Sequence, residues 1–152
     1  MRNHHTCQHE VTCMPHYSYA KKFKAGTSED NQEELEMKCH WGVLCDVTLS
    51  FPPGAHGTCH VHIDESLHQI FPTNPEGNYA FDDYTLHIDD EYELLSGTRK
   101  IYLRGWNEGS YPHTILVTFK IALPERLTKT EELLSDVVGF FTRLLGRGEG
   151  HG

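Results

Sequence analysis

The sequence predicts a mainly β protein: an antiparallel β-sandwich of Ig-like or jelly-roll type, with an extended N-terminal arm and one C-terminal amphipathic helix. Every odd-numbered position from Leu35 to Phe51 is apolar, and the even-numbered positions are polar or small, with Leu44 as the exception. Further alternating segments follow, separated by Gly and Pro, and after Pro124 the apolar period changes to three and four. We therefore predict an arm over residues 1–33, a β-sandwich over 34–124, a helix over 125–146 and a tail over 147–152.

Residues 1–33 show no sustained hydrophobic period, so we predict an extended polar arm without a core of its own. Lys21, Lys22 and Lys24 form a basic patch in this segment. Residues 1–26 carry four bases and one acid, whereas residues 27–96 carry one base and fifteen acids. Opposite charges steer docking, so the three lysines are candidate interface residues that meet the acidic middle of a neighbouring copy.

The alternation from Leu35 to Phe51 predicts one long strand with a buried odd-numbered face. Pro52-Pro53-Gly54 is a strong turn signal and ends this strand. A second strand is predicted where Cys59, Val61 and Ile63 alternate with polar residues, and a short third strand at Ile70 and Phe71. Residues 79–89 are predicted to be extended, with one face formed by Tyr84, Leu86 and Ile88.

Residues 91–97 read as a turn closed by a glycine, and a hairpin is predicted after it. Its first strand contains Ile101 and Leu103, and its loop covers residues 105–112. The apolar face of the return strand comprises Ile115, Val117, Phe119, Ile121 and Leu123. Trp106 and Tyr111 lie in the predicted loop, where they either contact a partner or a sugar, or cap the end of the core.

The C-terminal segment predicts an amphipathic helix. Thr128 and Glu131 have the spacing of a capping box. The apolar residues that follow recur at intervals of three and four: Leu133, Leu134, Val137, Val138, Phe140, Phe141, Leu144 and Leu145. This stripe is broader than one sheet edge requires, so it marks a candidate interface. Its candidate contact residues are Leu133, Val137, Phe140, Phe141 and Leu144.

His60 and His62 are candidate metal ligands because residues i and i+2 of a strand project on the same side, and imidazole suits zinc, iron, copper or nickel. The stretch from Gly54 to His62 is similar to the first half of the cupin motif, in which two such histidines bind a metal inside a barrel. The resemblance covers only these residues, and the downstream half of the motif is missing. The alternative is that Cys59, Val61 and Ile63 are buried and both histidines lie on a solvated face.

The arm contains a second candidate metal site formed by Cys7, His9, Cys13 and His16. Thiolates and imidazoles are ligands for zinc. Their spacing matches no known finger, so a simply polar arm is the alternative.

The bulk composition excludes several classes. The formal net charge is −9 and its acids are concentrated in the middle of the chain, so nucleic-acid binding is not expected. No apolar stretch approaches the roughly 20 residues that cross a bilayer. Because the N-terminus leads into no apolar segment, we expect no secretory signal. Five cysteines, an odd number, fit a reducing compartment, so a cytoplasmic or virion location is expected.

We therefore expect a non-enzymatic structural module that self-associates or joins a larger assembly through its termini, such as a capsid decoration (cement) protein or another shell component. The first alternative is a cupin-like metal-binding protein or metal-dependent small-molecule enzyme that uses His60 and His62. The second is a ligand- or carbohydrate-binding β-sandwich module that uses the loop at Trp106. No nucleophile elbow, phosphate loop or zincin motif occurs, and no cofactor is predicted beyond a possible transition metal.

Overall fold

The computed structural model describes residues 14–94, 100–123, 134 and 136–143. It confirms a mainly β chain with antiparallel sheets and a C-terminal helix. The described residues contain nine strands: β1 (His16–Phe23), β2 (Glu33–Met37), β3 (Gly42–Phe51), β4 (Cys59–Glu65), β5 (His68–Phe71), β6 (Tyr84–Ile88), β7 (Tyr92–Leu94), β8 (Ile101–Asn107) and β9 (His113–Ala122). A short 3₁₀ turn covers Glu29–Asn31, and the helix, α1, is described at Leu134 and over residues 136–143.

The strands form two antiparallel sheets. The first has the order β1-β9-β3-β6, and β7 also pairs with β3; the second has the order β2-β8-β4-β5. Every pairing among the described strands is antiparallel. Most strands that follow each other in sequence, such as β1 and β2, belong to different sheets; the exceptions are β4 with β5, and β6 with β7.

The core is built from alternate side chains of the central strands, as the period of two predicts. On β9 the predicted apolar face is confirmed, because Ile115, Val117, Phe119 and Ile121 are buried. Leu123, just beyond that strand, is half-buried. The second sheet contributes Cys59, Val61, Ile63, Ile101 and Leu103.

The prediction of one strand from Leu35 to Phe51 is wrong. Residues 38–41 interrupt it, so β2 pairs with β8 in one sheet while β3 pairs with β9 in the other. Trp41 in this connection is 40% exposed. The register of β3 also shifts between Cys45 and Thr48, and Asp46 has a φ of 50°. Such a bulge changes which side chains face inward, and Leu44, the exception in the alternation, is accordingly buried.

The prediction of a polar arm over residues 1–33 is wrong for its second half. His16–Phe23 form β1, which pairs along its whole length with β9. Phe23 is fully buried, and the rings of Tyr17 and Tyr19 stack on Phe119. The more buried alternate positions of β1 are Tyr17, Tyr19, Lys21 and Phe23. Because they include two tyrosines and a lysine, the hydrophobic period is weak although the segment belongs to the fold. Residues 1–13 lie outside the described part of the chain.

Two further predictions are corrected. Residues 92–94, predicted as a turn, form β7 because their backbone pairs with Gly42–Leu44. The segments containing Leu103 and Val117 do not form a hairpin: β8 pairs with β2 and β4, whereas β9 pairs with β1 and β3. The connection between them passes from one sheet to the other.

The chain divides into two compact units, residues 1–122 and residues 123–152. The first contains all nine described strands, and we call it the β unit. The second contains α1.

Candidate functional site

The helix α1 exposes large apolar side chains. Leu134, Val137, Val138, Phe140 and Phe141 are between 50% and 64% exposed. Because one helical turn takes 3.6 residues, their spacing of three and four places them on one broad face. Asp136 and Arg143, seven residues apart, flank that face on the same side. An apolar face of this width at a surface is typical of an interaction site.

Three of the predicted helix contacts, Val137, Phe140 and Phe141, lie on this exposed face. Leu133 and Leu144 lie outside the described residues. Thr142 borders this face beside Val138, four residues earlier, and its hydroxyl donates a hydrogen bond to the Val138 carbonyl. Thr142 lies on the side of the helix that points away from Val137 and Phe140, so it offers a position for a control substitution.

The interpretation of His62 as a solvent-facing residue is wrong, because its exposed fraction is only 8%. Its Nδ1 lies 2.8 Å from Asp64 Oδ1, and its Nε2 lies 2.9 Å from Gln32 Oε1. Gln32 follows the 3₁₀ turn and comes from a distant part of the sequence. Both ring nitrogens of His62 are therefore already engaged in hydrogen bonds within the protein.

Arg104 completes a charged network beside this histidine. Its Nη1 donates to Asp64 Oδ2 at 2.6 Å, and its Nε donates to Glu34 Oε2 at 3.1 Å. Burial by itself raises the pKa of Asp64, but hydrogen bonds and charge from His62 and Arg104 outweigh it and lower that pKa. The guanidinium also lies over the Tyr102 ring, 4.9 Å from its centroid. This network joins β2, β8 and β4, and the sequence carried no signal for it.

His60 is packed against an aromatic ring. Its imidazole stacks on Trp106 with ring centroids 4.8 Å apart and an interplanar angle of 8°, and its Nδ1 lies 2.8 Å from Asn78 Oδ1. Trp106 belongs to β8 and is 4% exposed, so its prediction as a loop contact residue is wrong. Tyr111, from the same predicted loop, is 75% exposed.

The metal predictions divide between described and undescribed residues. Among the described residues, no three His, Cys, Asp or Glu side chains come together as metal ligands. His60 and His62 have the partners given above, and His16 is an exposed residue of β1.

Burial raises the pKa of Cys39 to about 11. For Cys59, burial and the charge of Glu33 raise the pKa to about 12. Both thiols are therefore protonated at neutral pH. The arm residues Cys7, His9 and Cys13 lie outside the described residues.

The basic patch is only partly available for a partner. Lys21 Nζ lies 3.2 Å from Glu33 Oε2, and the backbone N–H of Lys24 donates to Glu33 Oε1 at 2.7 Å. Lys22 and the side chain of Lys24 are exposed. Lys21 thus ties β1 to β2 within the chain, which weakens the expectation that all three lysines meet a neighbouring copy.

No protein-family model matches this chain, and comparisons with curated proteins and with solved structures gave no match. In the part of the chain that the structure describes, no helix has the length and apolar content needed to cross a membrane.

Proposed function

We propose that this chain is a non-enzymatic assembly module, in which the β unit is the folded body and α1 is the element that binds a protein partner. One observation carries the proposal: five large apolar side chains of α1 are at least half exposed. Each Å² of apolar surface that such a face leaves in contact with water costs roughly 25 cal/mol of free energy. Association that covers the face removes this cost. Capsid decoration proteins and other shell components are modules of this kind.

We further propose that the β unit is a jelly roll. With the strands labelled in chain order and β6 and β7 counted as one position, the first sheet contains positions one, eight, three and six, and the second contains positions two, seven, four and five. The first position pairs with the eighth, the second with the seventh, the third with the sixth, and the fourth with the fifth. This nested pairing results when one long hairpin is rolled into two sheets, as in a jelly roll with its two Greek keys. This order supports a jelly roll over the Ig-like alternative, in which sequential strands pair as hairpins within a sheet.

The test is the sedimentation mass of the full chain compared with that of Phe140→Asp. Burying a Phe side chain stabilises by about 1.5–3 kcal/mol, and a symmetric interface contains it twice, so association should weaken by a hundredfold or more. Thr142→Asp is the matched control. It adds the same charge to the same helix on the side that points away from Val137 and Phe140, and Thr and Asp have similar helix propensities.

The proposal predicts that the full chain and Thr142→Asp associate, while Phe140→Asp sediments as a monomer with an unchanged circular dichroism spectrum. If Phe140→Asp associates as strongly as the full chain, α1 is not the interface and the proposal fails. Metal analysis of the same samples tests the alternative based on His60 and His62. A stoichiometric transition metal that is lost in His60→Ala would support that alternative.

A further inference from the structure

We infer that the partner of α1 is the same helix of a second copy, and that the two helices run antiparallel. The inference rests on the proposed function and specifies the partner and its orientation. It depends on the positions of four residues of the described helix. Asp136 and Arg143 lie on one side of the helix, and Val137 and Phe140 lie beside them.

The apolar residues of α1 follow the heptad spacing of helices that pack side by side. Val137 and Phe140 take the a and d positions, which form the centre of such an interface. Leu134 and Phe141 then both take the e position, and Asp136 and Arg143 both take the g position. All six are described residues, and the four apolar ones are at least half exposed.

One antiparallel register matches all of these residues at once. When Val137 packs against Phe140 of the second copy, Leu134 lies beside Phe141 of that copy. Asp136 then lies beside Arg143, because g positions face g positions in antiparallel helix pairs. The two-fold symmetry of a homodimer repeats each contact, so the interface contains two Asp136–Arg143 pairs. The apolar contacts and the ion pairs thus require the same alignment.

A parallel arrangement does not match in this way. Parallel helices bring a g position to an e position of the partner. Asp136 would then face Phe141, and the carboxylate would be partly desolvated beside an aromatic ring without a counter-charge. Among the described residues, Arg143 would have no acidic partner. Charge complementarity therefore selects the antiparallel pair.

The test is a charge exchange in the full chain, with association measured by sedimentation equilibrium. Asp136→Arg places Arg beside Arg, and Arg143→Asp places Asp beside Asp, in both halves of the dimer. Each single variant should bind itself about tenfold more weakly than the parent, because two exposed attractive pairs become repulsive. Raising the salt concentration should reduce the difference, since screening weakens exposed ion pairs.

The double variant Asp136→Arg/Arg143→Asp restores both pairs and should regain the parent affinity. An equimolar mixture of the two single variants should also form a heterodimer of parent-like affinity, because every pair across that dimer is again opposite in charge. A parallel dimer has no such rescue. Weak association of both the double variant and the mixture overturns the inference.

Phe140→Asp separates this result from the proposed function. If Phe140→Asp abolishes association while the charge exchanges leave it unchanged, α1 is still an interface but the antiparallel pairing is wrong. If Phe140→Asp has no effect, the proposed function fails, and the inference fails with it.

Discussion

Replacing Asp64 with Asn tests the buried charged network of the β unit. Asp64 is 3% exposed. It accepts hydrogen bonds from the imidazole of His62 at 2.8 Å and from the guanidinium of Arg104 at 2.6 Å. Asn has nearly the same shape but offers a single acceptor oxygen, and its amide nitrogen is a donor. One of the two bonds is therefore lost, and a donor is turned towards another donor.

We expect the free energy of unfolding of Asp64→Asn to be about 3 kcal/mol lower at pH 7. Hydrogen bonds to charged groups contribute about 1.5–3 kcal/mol each, and removing one partner of a buried ion pair costs about 3–5 kcal/mol. The lower end applies because Arg104 retains its bond to Glu34. For a chain of this size, the midpoint of thermal unfolding should fall by about 10 °C.

The difference should also depend on pH in a defined direction. The pKa of Asp64 is lowered in the folded protein, so its carboxylate stabilises the fold fully above the ordinary value of about 3.9. The stabilisation is lost as the pH falls below that value through the lowered pKa. Urea unfolding of parent and variant at pH 7, and at steps below pH 4, should show the gap narrowing with acid.

Asp46→Asn is the matched control. Asp46 forms a 2.9 Å ion pair with Lys120, but both side chains are largely exposed, so the change should cost less than about 1 kcal/mol. Asn also tolerates the positive φ of this position. If Asp64→Asn unfolds like the parent or like this control at pH 7, or if its deficit does not change with pH, the network does not stabilise the fold as argued.

Three further substitutions or deletions test the fold, each by thermal unfolding followed by circular dichroism. Val47→Asp puts a charge at a buried position and should cost several kcal/mol, whereas Thr48→Asp on the other face should cost little; equal melting of the two refutes the register of β3. Gly105→Ala should lower the free energy of unfolding by about 1–3 kcal/mol. The added carbon would collide with the His60 carbonyl and lie 2.9 Å from a methyl group of Val61. An unchanged stability would mean that β4 and β8 are not paired as described. Deleting residues 1–26 removes β1 and should unfold the β unit, whereas deleting residues 1–13 should leave it folded. Equal stability of the two truncated chains would contradict the place of β1 in the sheet.

Much of the β structure could be predicted because alternation is a local property. On β9, each second residue from Ile115 to Ile121 is apolar, and these residues are buried. The helix period at residues 134–141 was equally clear, and the candidate interface on α1 came from it directly. In these segments the sequence within about ten residues contains the whole signal.

Other elements depend on residues far apart in the chain. Alternation continues from Leu35 through Phe51, but the period of two does not show that the chain leaves one sheet at residues 38–41 and enters the other. It also cannot show which strand pairs with which, so β8 and β9 resembled a hairpin. β1 was missed because its pairing with β9, and not its own apolar content, holds it in the sheet.

The sequence alone determined the mainly β class, the faces of the strands with strong alternation, and the amphipathic helix with its apolar stripe. The tertiary structure decided the order of strands in the two sheets and the environment of His60, His62 and Trp106. A strand's outer face is solvated only if nothing covers it, and His62 is covered by Gln32, 30 residues earlier, while Asp64 is bound by Arg104, 40 residues later. Hydrophobic period reports which side of a segment avoids water; only the assembled chain determines what lies on the other side.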